Sequence, residues 1–222
     1  MRGARVGIFG GTFNPIHLGH LRAAEEVTEA LDLQRMIFVP SAQPPHKRNS
    51  DEDPIAPAAE RLAWVRAAIR DQARFEVDAI EVERGGSSYS VDTLRALRSR
   101  AGREPPVFTI GHDAFVEVGT WREPEALFEL AHFAVIARPP TPAGTLEDWI
   151  PKCVRDEVDL APDGLSGRHR RAGTWIRLLE IRALDVSASD IRARLRDGRS
   201  VRYLLPQVVI DAVQQSGVYA RG

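Results

Sequence analysis

Short apolar runs alternate with stretches of helical period along this chain. Val6 to Phe9, entered through Arg5, reads as a buried strand that stops at Gly10-Gly11. Leu18, Leu21, Val27 and Leu31 recur at roughly helical spacing and predict the first helix. Met36 to Val39 is a second strand, closed by Pro40. Residues 41–57 hold Pro44, Pro45, Pro54 and Pro57 among Ser, Asn and Asp, so they read as a loop. It is far longer than the usual connection of about 4–6 residues, which favours a functional loop over a plain linker. Ala58 to Ala73 is expected to be helical, with Leu62, Val65 and Ile69 on one face, and Phe75 to Val82 to be a strand.

Beyond the Gly85-Gly86-Ser87-Ser88 turn, Ser90 is placed to cap a helix running to about Arg100, with Asp92 favourable in its first turn. Val107 to Ile110 and Phe133 to Ala137 are two more core strands, separated by a helix over Pro124 to Leu130. Trp175 to Leu184 reads as a strand. Ser187 opens a helix through Leu195, and Pro206 to Gln215 forms the last, stopped by Gly217. Residues 141–172 carry no clear pattern, and their basic run Arg168-His169-Arg170-Arg171 reads as solvated surface. Strands alternating with helices, with Gly after strands, predict an α/β fold with a doubly wound, mainly parallel sheet. Ligands of such sheets bind at the carboxyl ends of the strands.

Composition narrows the classes. The 222 residues carry a formal net charge of −1, so the chain is not a polycationic nucleic-acid wrapper. One cysteine, Cys153, excludes an intramolecular disulfide framework and a multi-cysteine metal site. No run approaches the roughly 20 apolar residues of a membrane helix, and no signal segment precedes Val6. The expectation is a cytoplasmic globular protein with no membrane or nucleic-acid partner. Only Lys47 and Lys152 are lysines; every other basic side chain, histidine aside, is arginine.

Five segments carry chemistry. The first is Gly10-Gly11-Thr12-Phe13-Asn14-Pro15-Ile16-His17-Leu18-Gly19-His20. It follows a strand and opens a helix, where backbone amides and the dipole favour an anion. His17 and His20, three apart, can face the same side of the first turn. Singly, each could be a packing or capping residue; together they suit phosphate oxygens. A zinc pair lacks a nearby carboxylate or cysteine. Both the Gly-Lys-Ser/Thr ending of the P-loop and the third Gly of the dinucleotide fingerprint are absent. The others are Pro44-Pro45-His46-Lys47, Ser88-Tyr89-Ser90-Val91-Asp92-Thr93-Leu94, Gly111-His112-Asp113 followed by Trp121, and Val186-Ser187-Ala188-Ser189-Asp190-Ile191-Arg192.

The first segment resembles the signature of the nucleotidyltransferase superfamily with the His-x-Gly-His motif. The next three resemble motifs of bacterial nicotinate-nucleotide adenylyltransferases. The resemblance spans residues 10 to 192. It implies a Rossmann-like domain over residues 1–185 and a small C-terminal helical part over 186–222, in one continuous unit.

It also implies adenylyl transfer from ATP to nicotinate mononucleotide, giving deamido-NAD and pyrophosphate. The substrate phosphate would attack the α-phosphorus directly, so catalysis would rest on positioning and charge stabilisation. His17, His20, Lys47 and Arg192 would act on the phosphates. Gly10, Gly11, Thr12, Phe13, Gly111, Asp113, Ser187 and Ser189 would bind ATP. His46, Lys47, Tyr89, Ser90 and Trp121 would bind the pyridine nucleotide. Mg²⁺ would ride on ATP, with no protein metal ligand. His112 departs from the small residue of the motif, and its role stays open. A homodimer is compatible with this picture. The alternatives left are another transferase of the superfamily, using nicotinamide mononucleotide or phosphopantetheine, and a non-catalytic nucleotide-binding protein.

Overall fold

The computed structural model describes residues 5–44, 54–100, 102, 104–137, 144–182 and 184–220. Eight strands form one mixed sheet in the order β3-β2-β1-β4-β5-β8-β7-β6. They are β1 (Val6–Gly11), β2 (Arg35–Pro40), β3 (Phe75–Val77), β4 (Val107–Gly111), β5 (His132–Ala137), β6 (Val158–Leu160), β7 (Ser166–His169) and β8 (Trp175–Glu180). The chain groups into two compact units. One comprises residues up to Gly10, Glu26–Met36 and Tyr89–Arg182; the other comprises Gly11–Glu25, Ile37–Ser88 and Ala183–Gly222.

In the first unit, β1, β4, β5 and β8 run parallel, paired at Ile8–Phe108, Thr109–Ala134 and Val135–Leu178. Strands covered on both faces read as continuous apolar runs, and Phe133 to Ala137 are all buried. Phe108, Phe115 and Phe128 close on Phe133, with ring centroids 5.7, 6.0 and 4.5 Å away. The pairing of Phe9 with Thr109 sets the carboxyl ends of β1 and β4 side by side, where the strand order reverses. Such a switch point is where open α/β sheets take their ligands.

The stretch without a legible pattern folds into pieces of three or four residues, too short for a period to show. These are α7 (Leu146–Trp149), α8 (Lys152–Arg155) and the strands β6 and β7; β7 pairs antiparallel with β8, and β6 antiparallel with β7. The basic run is not uniformly solvated. Arg170 and Arg171 are exposed beside Asp159 and Glu129, at 2.7 and 3.2 Å. His169, by contrast, is buried, with Nε2 3.2 Å from Glu157.

In the second unit, α1 (Leu18–Ala30) contributes its first turns, followed by α2 (Ala58–Ala68) and α3 (Ile80–Arg84). The C-terminal helices α9 (Ala188–Arg196) and α10 (Gln207–Ser216) belong here too. Phe38 packs between Phe13 and Phe75, at 5.8 and 5.2 Å. α2 stops at Ala68, short of Ala73. The strand expected over Phe75 to Val82 ends at Val77. There the Asp78 carboxylate accepts the Ile80 amide at 2.9 Å, turning the chain into α3. Gly85, at φ 66°, then ends α3 in a conformation other residues rarely adopt.

The remaining elements, all in the first unit, are α4 (Ser90–Arg98), α5 (His112–Val116) and α6 (Pro124–Leu130). Ser90 is the first helical residue of α4 rather than its cap; Tyr89 holds the cap position, and no side chain there accepts an amide. β8 ends at Glu180, not Leu184. Among the described residues, no helix is long and apolar enough to cross a membrane.

Candidate active site

Local sequence explains how the two histidines meet. The chain leaves β1 through Gly11 and Thr12, and Phe13 takes φ 48°, a left-handed value uncommon outside glycine. Its buried ring meets the His20 ring edge-on at 5.1 Å. His17 stands just before α1 and His20 in its first turn. Their rings stack, with centroids 3.7 Å apart and planes at 25°. The residue between them must be small: a Cβ on Gly19 would lie 3.0 Å from His17 Nδ1. The His17 amide donates to His20 Nδ1 at 3.3 Å. That nitrogen is therefore an acceptor, and the ring's proton sits on Nε2, where it can donate to an anion.

The same unit brings the C-terminal motif to this turn. Ser187 caps α9, its Oγ accepting the Asp190 amide at 3.1 Å and standing 3.3 Å from Ser189 Oγ. Both serines are exposed. One turn on, Arg192 is buried, and its Nη1 donates to the Asn14 carbonyl at 2.7 Å. Thr12, His17, His20, Ser187, Ser189 and Arg192 all lie in the second unit, where the Arg192–Asn14 bond ties α9 to the turn before α1.

Three residues were not foreseen. Asn14, an unassigned position inside the first motif, donates from Nδ2 to the Pro54 carbonyl at 3.0 Å, and its Oδ1 accepts the Ala56 amide at 2.9 Å. The Tyr219 hydroxyl donates to the same Oδ1. Among the described residues Arg61 is the largest fully buried side chain, and its guanidinium meets four backbone carbonyls. Burial lowers its pKa from the ordinary arginine value, opposed by Tyr219 and Glu81. A signal was legible: Arg61 lies four residues before Val65 and eight before Ile69, on the apolar stripe of α2. Nothing in the sequence marks Tyr219.

His46 and Lys47 lie outside the described residues. The start of their loop is laced to the Gly85–Ser88 turn. The Ala42 amide donates to Ser88 Oγ at 2.8 Å, and the Ser88 amide donates to the Gln43 carbonyl at 3.0 Å. A cavity of about 610 Å³ opens there, lined by Ala42, Pro44, Ile55, Ala56, Arg61 and Val82 among others.

The first unit carries the remaining predicted residues. Gly10 is the exposed penultimate residue of β1, and Gly111 holds the cap position of α5. Asp113 projects its carboxylate into solvent. His112 folds instead against Trp149, ring centroids 4.2 Å apart at 72°, so its ring packs. Tyr89 and Ser90 are half-buried at the start of α4. The Arg122 guanidinium lies over the Tyr89 ring at 4.9 Å and 3.6 Å from Asp92. Trp121, half-buried, precedes Arg122 directly.

Known proteins resemble this chain along nearly its whole length. The cytidylyltransferase-like family model matches residues 8–194. A relative from Geotalea daltonii, named a probable nicotinate-nucleotide adenylyltransferase, is 40% identical over 98% of this chain and 99% of its own. One of the same name from Methylococcus capsulatus is 39% identical over 97% and 100%. Among solved structures, the nicotinic acid mononucleotide adenylyltransferase of Plasmodium falciparum complexed with NaAD superposes with a TM-score of 0.70. It is 15% identical and covers 97% of each chain, which shows the shared Rossmann-like fold. By its full-length likeness to these relatives and by the motifs its fold assembles, the chain belongs to the nicotinate-nucleotide adenylyltransferases of the cytidylyltransferase-like family.

Proposed function

We propose that this protein transfers the adenylyl group of ATP to nicotinate mononucleotide in NAD biosynthesis. The observation that carries the reading is identity of about two-fifths along nearly the whole chain to proteins named for that reaction. A phosphate oxygen of nicotinate mononucleotide forms a bond to the α-phosphorus of ATP, and the bond from that phosphorus to the bridging oxygen breaks. The products are deamido-NAD and pyrophosphate. The attacking phosphate is already anionic near neutral pH, so the chain need supply no nucleophile or general base. Its work is alignment and stabilisation of spreading negative charge.

In this reading His20 donates from Nε2 to a phosphate oxygen, and His17 stacks behind it. The amides at the start of α9, with Ser187 and Ser189, receive the ATP phosphates. Arg192 holds the Asn14 carbonyl and brings its positive charge to the same phosphates. Lys47 and His46 add positive charge from the loop. Asp113 takes the ATP ribose, and Trp121 stacks on the pyridine beside Tyr89 and Ser90. Magnesium would come with ATP and offset the charge of its phosphates, with no side chain of this protein assigned to hold it. The reaction takes place in the cytoplasm.

Pyrophosphate release tests the assignment. ATP would be offered with nicotinate mononucleotide, nicotinamide mononucleotide or phosphopantetheine, and CTP with phosphocholine. Rapid release with nicotinate mononucleotide and slow release with its amide is expected. Preference for any other pair overturns the substrate, and silence with all of them overturns catalysis.

A further inference from the structure

Arg61 is 1% exposed, yet its hydrogen bonds run to the backbone of three separate stretches. Nη1 donates to the Thr12 carbonyl at 2.6 Å, in the turn after β1. Nη2 donates to the Ser41 and Ala42 carbonyls at 2.7 and 2.9 Å, where the chain leaves β2. Nε donates to the Ala56 carbonyl at 2.8 Å, just before α2. One planar group therefore fixes the phosphate-binding turn and both ends of the 41–57 segment. Asn14 adds a second tie between the same turn and Pro54 and Ala56.

An apolar side chain of similar volume would fill this space without desolvating a charge. A lysine brings its donors from a single point, whereas the guanidinium fork reaches acceptors in several directions at once. The arrangement suits a site where three backbone segments must keep a fixed spacing.

Resting on the adenylyl-transfer reading, we propose that Arg61 is a positioning residue for that reaction. Its donors go to backbone carbonyls, so it acts through the segments it holds. It holds Thr12, and with it the turn leading to the His17–His20 pair, at a set distance from the limbs of the segment that carries His46 and Lys47. Its loss lets the turn and the two ends of that segment drift out of register while ATP still binds.

Arg61→Ala, Arg61→Lys and the wild type would be compared for kcat, for KM of ATP and for thermal unfolding. Misplacement by about an ångström lowers turnover by about a hundredfold, so a kcat loss of that order is expected in a folded Ala variant, with the KM for ATP changing by less than about threefold. Millimolar guanidinium, entering through the cavity that Arg61 lines, should restore at least about a tenth of the wild-type kcat, and equimolar urea or sodium chloride should not. A variant that was merely destabilised would lose activity with guanidinium rather than gain it. A folded Ala variant with kcat within about threefold of wild type, or one whose loss guanidinium leaves untouched, overturns the proposal. Should the Ala variant fail to fold, Arg61→Lys decides alone: a kcat loss of tenfold or more with unchanged ATP KM is expected, and a near-wild-type kcat overturns it. If the wild type is silent with nicotinate mononucleotide, the substrate reading fails separately. The three proteins are then compared on whichever pair releases pyrophosphate.

Discussion

His132 makes the stability of the first unit depend on pH in a calculable direction. It opens β5 half-buried, stacks on Trp175 at 4.5 Å with planes 9° apart, and accepts the Trp175 amide on Nδ1 at 3.0 Å. Burial, with Arg177, Arg5, Arg98 and Arg168 nearby, lowers its pKa from 6.5 to about 4. Protonating Nδ1 would also turn that acceptor into a donor facing the amide. The folded state therefore binds the proton less tightly than the unfolded chain. The stabilisation is fully present above the unfolded value of 6.5 and is lost as pH falls from there toward 4. Each pH unit in that window is worth about 1.4 kcal/mol, so the fall to pH 5 costs about 2 kcal/mol at most. Partial solvent screening of the ring reduces this to about 1–1.5 kcal/mol.

The control is His132→Asn, whose side-chain oxygen can still accept the Trp175 amide but does not titrate. Urea unfolding of both proteins at pH 7.5 and pH 5 separates His132 from every other group, because the rest titrate alike in the two chains. The wild type should lose about 1–1.5 kcal/mol more than the variant between these pH values. An equal loss in both refutes the reasoning.

Other expectations follow from the site. His20→Ala should lower kcat by about two to four orders of magnitude with a smaller change in ATP affinity by calorimetry, as for a group that acts on developing charge; near-wild-type turnover would remove the role given to it. Trp121→Ala should raise the KM for nicotinate mononucleotide more than that for ATP, and equal effects would refute stacking on the pyridine. Tyr219→Phe, which removes one hydroxyl from Asn14 Oδ1, should cost about 1 kcal/mol in urea unfolding. Asn14→Ala strips the partner from Pro54, Ala56 and Tyr219 together and should cost about 3 kcal/mol or more; a smaller loss than for Tyr219→Phe would show that Asn14 is not the hub.

Much of this protein is written locally. The apolar runs at Val6, Met36, Val107 and Phe133, each buried on both faces, announced the central strands. The Ser187 cap and Gly217 marked the start of α9 and the end of α10 in their own residues. The Gly-Gly-Thr turn and the His-x-Gly-His spacing specified the ring pair almost completely, because both rings and the glycine that makes room for them lie within four residues. Asp78 is the instructive miss: the alternation over Phe75 to Val82 is genuine, but one side-chain hydrogen bond diverts the backbone into α3. What the sequence could not reveal is partnership at long range. Arg192 and Asn14 are 178 residues apart and Tyr219 and Asn14 are 205 apart, yet each pair shares a hydrogen bond. The apolar stripe of α2 marks Arg61 as buried, but nothing near it in the chain says which three backbone segments converge on it. Period and turn chemistry act between near neighbours and so can be read along the chain. Which carbonyl meets which buried donor depends on how distant segments are brought together, and only the tertiary structure decides that.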